Sequence, residues 1–371
     1  MKVKDVTVDV LRRTVPSGTM SADRAGGFGG EIEAGLLRVV TDEGVEGNAF
    51  VGSFLRSGQE PLRAIIEVVK PEIIGHPIED REWLWSRLDS LSFRRRLPAP
   101  AWAGVDIALW DIMGKVTGKP IYHLLGAQRH KVLAYASSPY YPRAELYVEE
   151  ALAFKAKGFK AYKIHPGGAP VPRVKEITRR VREAVGDEMP LMVDASCMYT
   201  YREALEIGQA IQDLAYYWFE DPVRYMDLDA VAELSSRLHI PIAVSDYHEF
   251  GMYEALLYIE RKAGRIIRTD APREGITGQK KLASLCEAMG LNCEIHHGGN
   301  SLNNVANLHV ILSTRSCDFY EWLLPSEAHQ FGLVQDVTVD KEGYVHGPTA
   351  PGLGFELDTE ALRRITVSTM R

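Results

Sequence analysis

The 371-residue sequence predicts an α/β protein: a modified (β/α)8 TIM-type barrel with an N-terminal α+β capping domain. Three observations predict it. Carboxylates close successive apolar runs at a spacing of 26 residues: Leu191-Met192-Val193-Asp194, Tyr216-Tyr217-Trp218-Phe219-Glu220 and Ile242-Ala243-Val244-Ser245-Asp246. From about residue 132 onward, strand-like and helix-like patterns alternate. The first 125 residues instead show a few strands followed by helices. A short apolar run between turn signals reads as a buried parallel strand, and a strand with its helix and two loops takes roughly 25 residues or more. Equal spacing therefore puts like atoms at like ends of successive strands.

The elements follow in order. Residues 3–12 (VKDVTVDVLR) and 32–40 alternate apolar and polar residues and read as strands. Residues 18–30 between them hold five glycines and read either as a plain connector or as a flap over a pocket. Gln59–Ile74 is apolar at Leu62, Ile65, Ile66 and Val69, and Trp102, Val105, Leu109, Ile112 and Met113 make a second helical stripe, stopped by Gly118 and Pro120. The stripe reads as core packing. Residues 1–125 thus form the capping domain, and 126–334 form the barrel from eight strands: VLAYASS, AYKIHP, LMVDAS, YYWFEDP, IPIAVSD, RIIRTDAP, LNCEIHHG and FYEWLLP. The last helix of the barrel is expected to be altered. Residues 335–371, with strand-like VTVD and a proline-glycine segment, are expected to return to the first domain.

Polar residues at the C-terminal ends of barrel strands read as catalytic. Here they are Lys163 and His165, Asp194, Glu220, Asp246, Asp270, His296 or His297, and Glu321. A single carboxylate at a strand end could cap the next helix, but seven strands of eight end in a polar group. Lys163 and His165, two apart, share a strand face. A desolvated lysine there suits a base or a carboxylate clamp. His296 and His297 are adjacent, so one faces inward, where Asp270 on the neighbouring strand could hold its tautomer. Glu321, if protonated in a dry pocket, could donate a hydrogen bond to substrate oxygens. Three convergent carboxylates need a cation, and a hard oxygen set suits Mg²⁺. Asp221 with Pro222 reads as turn chemistry, and His248 reads as a ligand, a donor or a loop residue.

Composition narrows the classes. Hydrophobic residues make up 46% and charged residues 25%, with net charge −7. No basic patch of nucleic-acid type stands out. Arg94-Arg95-Arg96 is too short a run for one and reads as a solvated turn. No apolar run is long enough to span a bilayer, and no secretory leader is apparent. Cys197, Cys286, Cys293 and Cys317 have neither disulfide-framework density nor CxxC spacing. A reducing, cytoplasmic setting is expected, with no nucleic-acid or membrane partner.

Over nearly its whole length the chain resembles the enolase superfamily, specifically its mandelate racemase-like branch. The motifs that carry the resemblance are GVDIALWDIMGKVTGKPIYHLLG at 104–126, KIH at 163–165, VDAS with Asp194, FEDP with Glu220, VSD with Asp246, TDAPREGITG from 269, EIHHGG from 294, YEWL with Glu321, and PTAPGLGFELD at 348–358. The resemblance implies Mg²⁺ as cofactor, held by Asp194, Glu220 and Asp246. It implies a base pair at Lys163 and His165, an Asp270–His296 dyad with His296 as base, and Glu321 as electrophilic partner. Two positions depart from the branch: His165 stands where many relatives have lysine, and Asp246 stands where this branch usually has glutamate. The implied chemistry is abstraction of the proton α to a carboxylate through an enediolate. A sugar-acid dehydratase, a lyase acting on an aldonate or aldarate, is the leading expectation. The alternatives are a racemase, epimerase or lactone cycloisomerase, and a barrel without catalysis. A metal hydrolase lacks the paired histidines it would need in AYASS. Substrate contacts are expected from Met20, Asp23, Arg24 and Phe28 in the glycine-rich segment, from the GSFLRSG segment, and from Tyr140, Tyr141 and Arg143. The partners implied are a small carboxylate substrate and further copies of the chain, as a homo-oligomer.

Overall fold

The computed structural model describes residues 1–19, 28–53, 58–244 and 251–371, with side chains of 16–19 and 28–29 left aside. A four-stranded antiparallel sheet has the order β13-β1-β2-β3, where β1 is Val3–Thr19, β2 Phe28–Thr41, β3 Glu46–Val51 and β13 Thr366–Met370. Val6, Val8 and Val10 alternate onto its covered face and are fully buried. The two expected strands lie inside β1 and β2, whereas β3 and β13 add to them. The chain end does pair with β1, but through Thr366–Met370 rather than through VTVD. Val337–Asp340 is irregular because Asp340 turns the chain: its Oδ1 accepts from the backbone N–H of Glu342 and of Tyr344. The turn leads into β12, Tyr344–His346, which joins the barrel sheet.

The helix expected over Gln59–Ile74 forms with one π-turn, Ile65–Val69, between Glu60–Ala64 and Lys70–Ile73. Pro71 has no N–H to offer the preceding turn, and the Lys70 N–H reaches back five residues to the Ile65 carbonyl. The Trp102 stripe belongs to the helix Ala99–Thr117, which is buried almost all round. It fits between the antiparallel sheet and the barrel helix Ala271–Ala288. Gly47 makes the first contact possible, since a Cβ there would sit 2.1 Å from the Ala108 carbonyl oxygen. At the second contact Asp106 accepts from Thr277 N (2.9 Å) and Thr277 Oγ1 (2.7 Å). Gly275, at φ +66°, lets the barrel backbone come this close, because a Cβ there would lie 2.4 Å from Asp106 Oδ2.

The barrel strands are β4 Lys131–Tyr140, β5 Ala161–His165, β6 Leu191–Asp194, β7 Trp218–Glu220, β8 Ile242–Val244, β9 Ile266–Thr269, β10 Asn292–Ile295 and β11 Phe319–Leu323. They pair in parallel in the order β10-β9-β8-β7-β6-β5-β4-β11, an eight-stranded barrel closed except between β10 and β11. That seam is bridged by Cys293 N–H to the Ser316 carbonyl (2.7 Å). It is also bridged by the Glu294 carboxylate, which accepts from Asp318 N (2.9 Å) and Phe319 N (3.3 Å). Directly after β11 the short turn Ser326–Ala328 stands where a barrel helix would follow, the altered last unit.

The barrel interior is layered by the two-residue period of its strands. Tyr135, Ala161, Met192, Trp218, Ala243, Ile266 and Phe319, one from each of seven strands, form an apolar floor. Two residues further along, the same strands carry Ser137, Lys163, Asp194, Glu220, Arg268 and Glu321, all buried. One apolar layer therefore supports one charged layer. Among the described residues no helix is long and apolar enough to cross a membrane.

Candidate active site

The charged layer is a compact ion cluster. Lys163 Nζ lies 2.8 Å from Glu321 Oε1, 3.1 Å from Glu220 Oε2 and 3.5 Å from Asp194 Oδ2. Strand register places Asp194 directly beside Glu220. Arg268 spans the other side, with Nε 3.0 Å from Glu220 Oε1 and Nη2 2.6 Å from Glu321 Oε2. Trp218 Nε1 donates to Glu220 Oε2 (3.0 Å), and Ser137 Oγ donates to Glu321 Oε1 (2.8 Å). The Asp194 Oδ1 accepts from Ser196 N (2.8 Å), and its Oδ2 lies 2.9 Å from His165 Nε2.

Burial opposes charge on every member, and the neighbours decide the outcome. Glu220 and Glu321 outweigh burial at Lys163 and hold its ammonium well above the usual range. At Glu321 burial is overcome by Lys163 and Arg268, which keep it ionised well below the usual carboxylate range. Asp194 is likewise held down, against burial, by His165 and Lys163. At Glu220 burial prevails over Arg268 and Lys163 and pushes it up. Three carboxylates surround Lys163 and favour its ammonium form, which suits the carboxylate clamp of the two expected roles. Glu321 is placed as an acceptor, taking the His297 N–H at 3.1 Å as well.

Two cations, Lys163 and Arg268, face three carboxylates, Asp194, Glu220 and Glu321, so the buried cluster is short of positive charge. Its donor set is hard oxygen on adjacent strand ends. Both features fit a divalent hard cation such as Mg²⁺ between Asp194 and Glu220. Asp246, the third expected ligand, lies outside the described residues, as do Met20, Asp23, Arg24 and His248 and the side chain of Phe28. Among the described residues no group of three acidic, histidine or cysteine side chains encloses a metal position.

The second half of the site begins one residue beyond β9 and β10. His296 Nδ1 lies 2.8 Å from Asp270 Oδ2. Asn307 Nδ2 donates to Asp270 Oδ1 and to the His296 carbonyl, both at 2.8 Å, so both partners are fixed from the following helix, Ser301–Leu312. Arg273 Nη2 is 3.4 Å from His296 Nδ1. His297 turns the other way, fully buried, with its ring 4.2 Å from that of Tyr320. Burial lowers its pKa to about 4 and leaves it neutral. On the far side of the barrel His165 is 4% exposed, packed on the Tyr140 ring (5.6 Å), and Tyr140 Oη is 3.0 Å from Ser196 Oγ. The structure thus gathers Lys163, His165, Asp194, Glu220, Asp270, His296, Glu321 and Tyr140 at one mouth. Arg268, Ser137, Asn307 and Arg273 were not expected there. Arg268 carried a readable signal, being a charged residue two before Asp270 on the same strand face.

Comparison with known proteins agrees with this fold. Residues 146–361 match the family model described as enolase C-terminal domain-like, and residues 25–126 match that of the mandelate racemase / muconate lactonizing enzyme N-terminal domain. An arabinonate dehydratase of Saccharolobus solfataricus is 32% identical over 335 residues, 86% of this chain and 88% of that protein. A D-galactarolactone cycloisomerase of Agrobacterium fabrum is 29% identical, over 81% of this chain and 84% of its own length. The structure of D-glucarate dehydratase from Agrobacterium tumefaciens, complexed with magnesium, superposes with a TM-score of 0.89 at 32% identity, covering 99% of this chain and all of that one.

Proposed function

The chain belongs to the mandelate racemase / muconate lactonizing enzyme family of the enolase superfamily, and from this premise we propose that it is a lyase dehydrating a sugar acid to a 2-keto-3-deoxy acid. The observation that carries this reading is the unequal provision of bases on the two sides of the mouth. The Asp270–His296 pair is complete and held by Asn307, with His296 15% exposed. Opposite it, Lys163 is enclosed by three carboxylates and His165 is tied to Asp194. Racemisation needs a proton acceptor on each face of the α-carbon, whereas dehydration needs one that removes the α-proton and can return a proton to the leaving hydroxyl.

Asp194, Glu220 and Asp246 would hold Mg²⁺, which when bound offsets the charge that accumulates on the substrate carboxylate as its α-proton leaves. His296 takes that proton, with Asp270 fixing the ring and stabilising its charged form. Lys163 binds a substrate carboxylate oxygen and offsets the like charges of Glu220 and Glu321. Racemisation or epimerisation would require His165 to leave Asp194, whereas lactone cycloisomerisation, the alternative suggested by the cycloisomerase relative, needs one base as dehydration does and differs in the oxygen that leaves.

A panel of aldonates and aldarates incubated with Mg²⁺ in D₂O tests the reading. Loss of water to a 2-keto-3-deoxy acid is expected, together with a loss of at least ~10²-fold in rate for His296→Asn, the scale of a positioned acid–base group. Deuterium incorporation with no loss of water assigns the isomerase instead, and unchanged turnover of His296→Asn removes the histidine from the mechanism.

A further inference from the structure

Arg94 and Arg96 read in sequence as a solvated turn, yet they line a cavity of about 1250 Å³ that also reaches Arg273 and Gly251. Arg273 is three residues past Asp270 and its Nη2 lies 3.4 Å from His296 Nδ1, so one residue of the cavity wall also touches the histidine of the barrel mouth. The opposite wall is the segment between the helices Arg81–Arg95 and Ala99–Thr117 of the capping domain. Arg94 and Arg96 make no ion pair among the described residues, and Arg96 is held in the left-handed region at φ 52°. Trp102, 5% exposed, also lines the cavity, and its indole Nε1 finds no hydrogen-bond partner among the described residues.

The wall is rich in donors. Three guanidiniums and an indole N–H can only donate, while the carboxylates on the same wall are Glu60 and Asp89, and the hydroxyl of Tyr253 already engages Asp89. A ligand that only accepts, and carries negative charge, complements it. Resting on the dehydratase reading, we propose that this cavity receives the far end of the substrate and that this end is a second carboxylate bound by Arg94 and Arg96: the substrate is a sugar diacid, an aldarate. An aldonate ends in a hydroxymethyl group and would leave both guanidiniums unpaired. The near carboxylate and the proton transfer are served by the barrel, and discrimination between mono- and diacid is served by the capping domain.

The test compares hexarates (glucarate, galactarate, mannarate) with the matching hexonates, with Mg²⁺, in the full-length chain and in Arg94→Gln/Arg96→Gln. Both side chains are exposed, so the variant is expected to keep the parent circular dichroism and Tm. The parent should favour a hexarate over its hexonate by at least ~10-fold in kcat/KM, and the variant should lose ~10-fold or more of that ratio through KM, the scale of one charge-assisted pair. A parent that prefers hexonates overturns the proposal, as does a ratio unmoved in the variant, while dehydration itself still stands. If neither series turns over, the dehydratase reading fails, and titration calorimetry with galactarate decides this site separately. Binding that weakens ~10-fold in the variant upholds it, and absent or unchanged binding overturns it.

Discussion

Arg268 shows how much one side chain governs at this site. It is fully buried and joins Glu220 to Glu321 across β9, with Trp218 and Tyr135 beneath it. Removing one partner of a buried ion network leaves charge without compensation, at a cost of about 3–5 kcal/mol. Arg268→Met should therefore lower thermal stability strongly. Because the cluster is then short of two positive charges, saturating Mg²⁺ should restore more stability to the variant than it adds to the parent. Thermal unfolding of both proteins with EDTA and with Mg²⁺ measures this. An equal Mg²⁺ increment in the two would mean that Arg268 and the ion do not share the same carboxylates. The cluster was half legible in the sequence. Asp194, Glu220 and Glu321 could be placed because each closes or sits within an apolar run at a fixed spacing. Arg268 could have been placed by the same two-residue period, but its role depends on which carboxylates lie across the ring, and strand spacing does not give distances across a barrel. The ionisation of Lys163 and Glu321 was illegible for the same reason, since it follows from their contact at 2.8 Å.

At the scale of elements, all eight barrel strands were readable from apolar runs and turn signals, but the way the ring closes was not. Between β10 and β11 a side chain stands in for part of the ladder. Glu294, level with Arg268 in the strand ladder, spends both oxygens on the backbone N–H groups of Asp318 and Phe319. Burial, with Asp318 nearby, pushes its pKa up to about 7. The folded chain therefore holds this proton more tightly than the unfolded chain does. The resulting stabilisation is fully present below pH 4.5 and is lost as pH rises through about 7, on the order of 3 kcal/mol for a shift of this size. Glu294→Gln keeps the carbonyl acceptor and removes the titration. Urea unfolding at pH 5 and at pH 8 should show the parent losing more stability between the two than the variant does. Parallel pH dependences in the two proteins would show that the seam does not titrate. The strands β3 and β13 escaped sequence reading for a different reason: Gly47 weakens the β pattern of EGNAFV, and TVSTM is mostly exposed.

In the whole molecule, chemistry and selection are divided between two bodies that meet along the helix Ala99–Thr117. The barrel carries the ion cluster and the Asp270–His296 pair, and the capping domain carries Arg94, Arg96 and Trp102. The division works only if the two are held in fixed relation. Asp106 does much of this, binding both Thr277 N and Thr277 Oγ1, while Trp110 Nε1 donates to the same Thr277 hydroxyl at 2.9 Å and Trp85 Nε1 to the Glu274 carbonyl at 3.0 Å. The sequence stripe showed that this helix is core, but its buried aspartate fell between the apolar positions and its partner is 171 residues away. Asp106→Ala leaves the Thr277 N–H and hydroxyl without their acceptor, a loss of about 2–4 kcal/mol. Thr277→Val removes the hydroxyl alone and costs less. Because both changes break one shared interaction, the double variant should be less destabilised than the sum of the two by about 1 kcal/mol or more in chemical unfolding. The same loosening should raise KM for the substrate more than it lowers kcat, since the capping wall moves relative to His296 while the barrel mouth keeps its own bonds. Additive stabilities, or a fall in kcat with KM unchanged, would show that the two bodies are held in register by other contacts than this one.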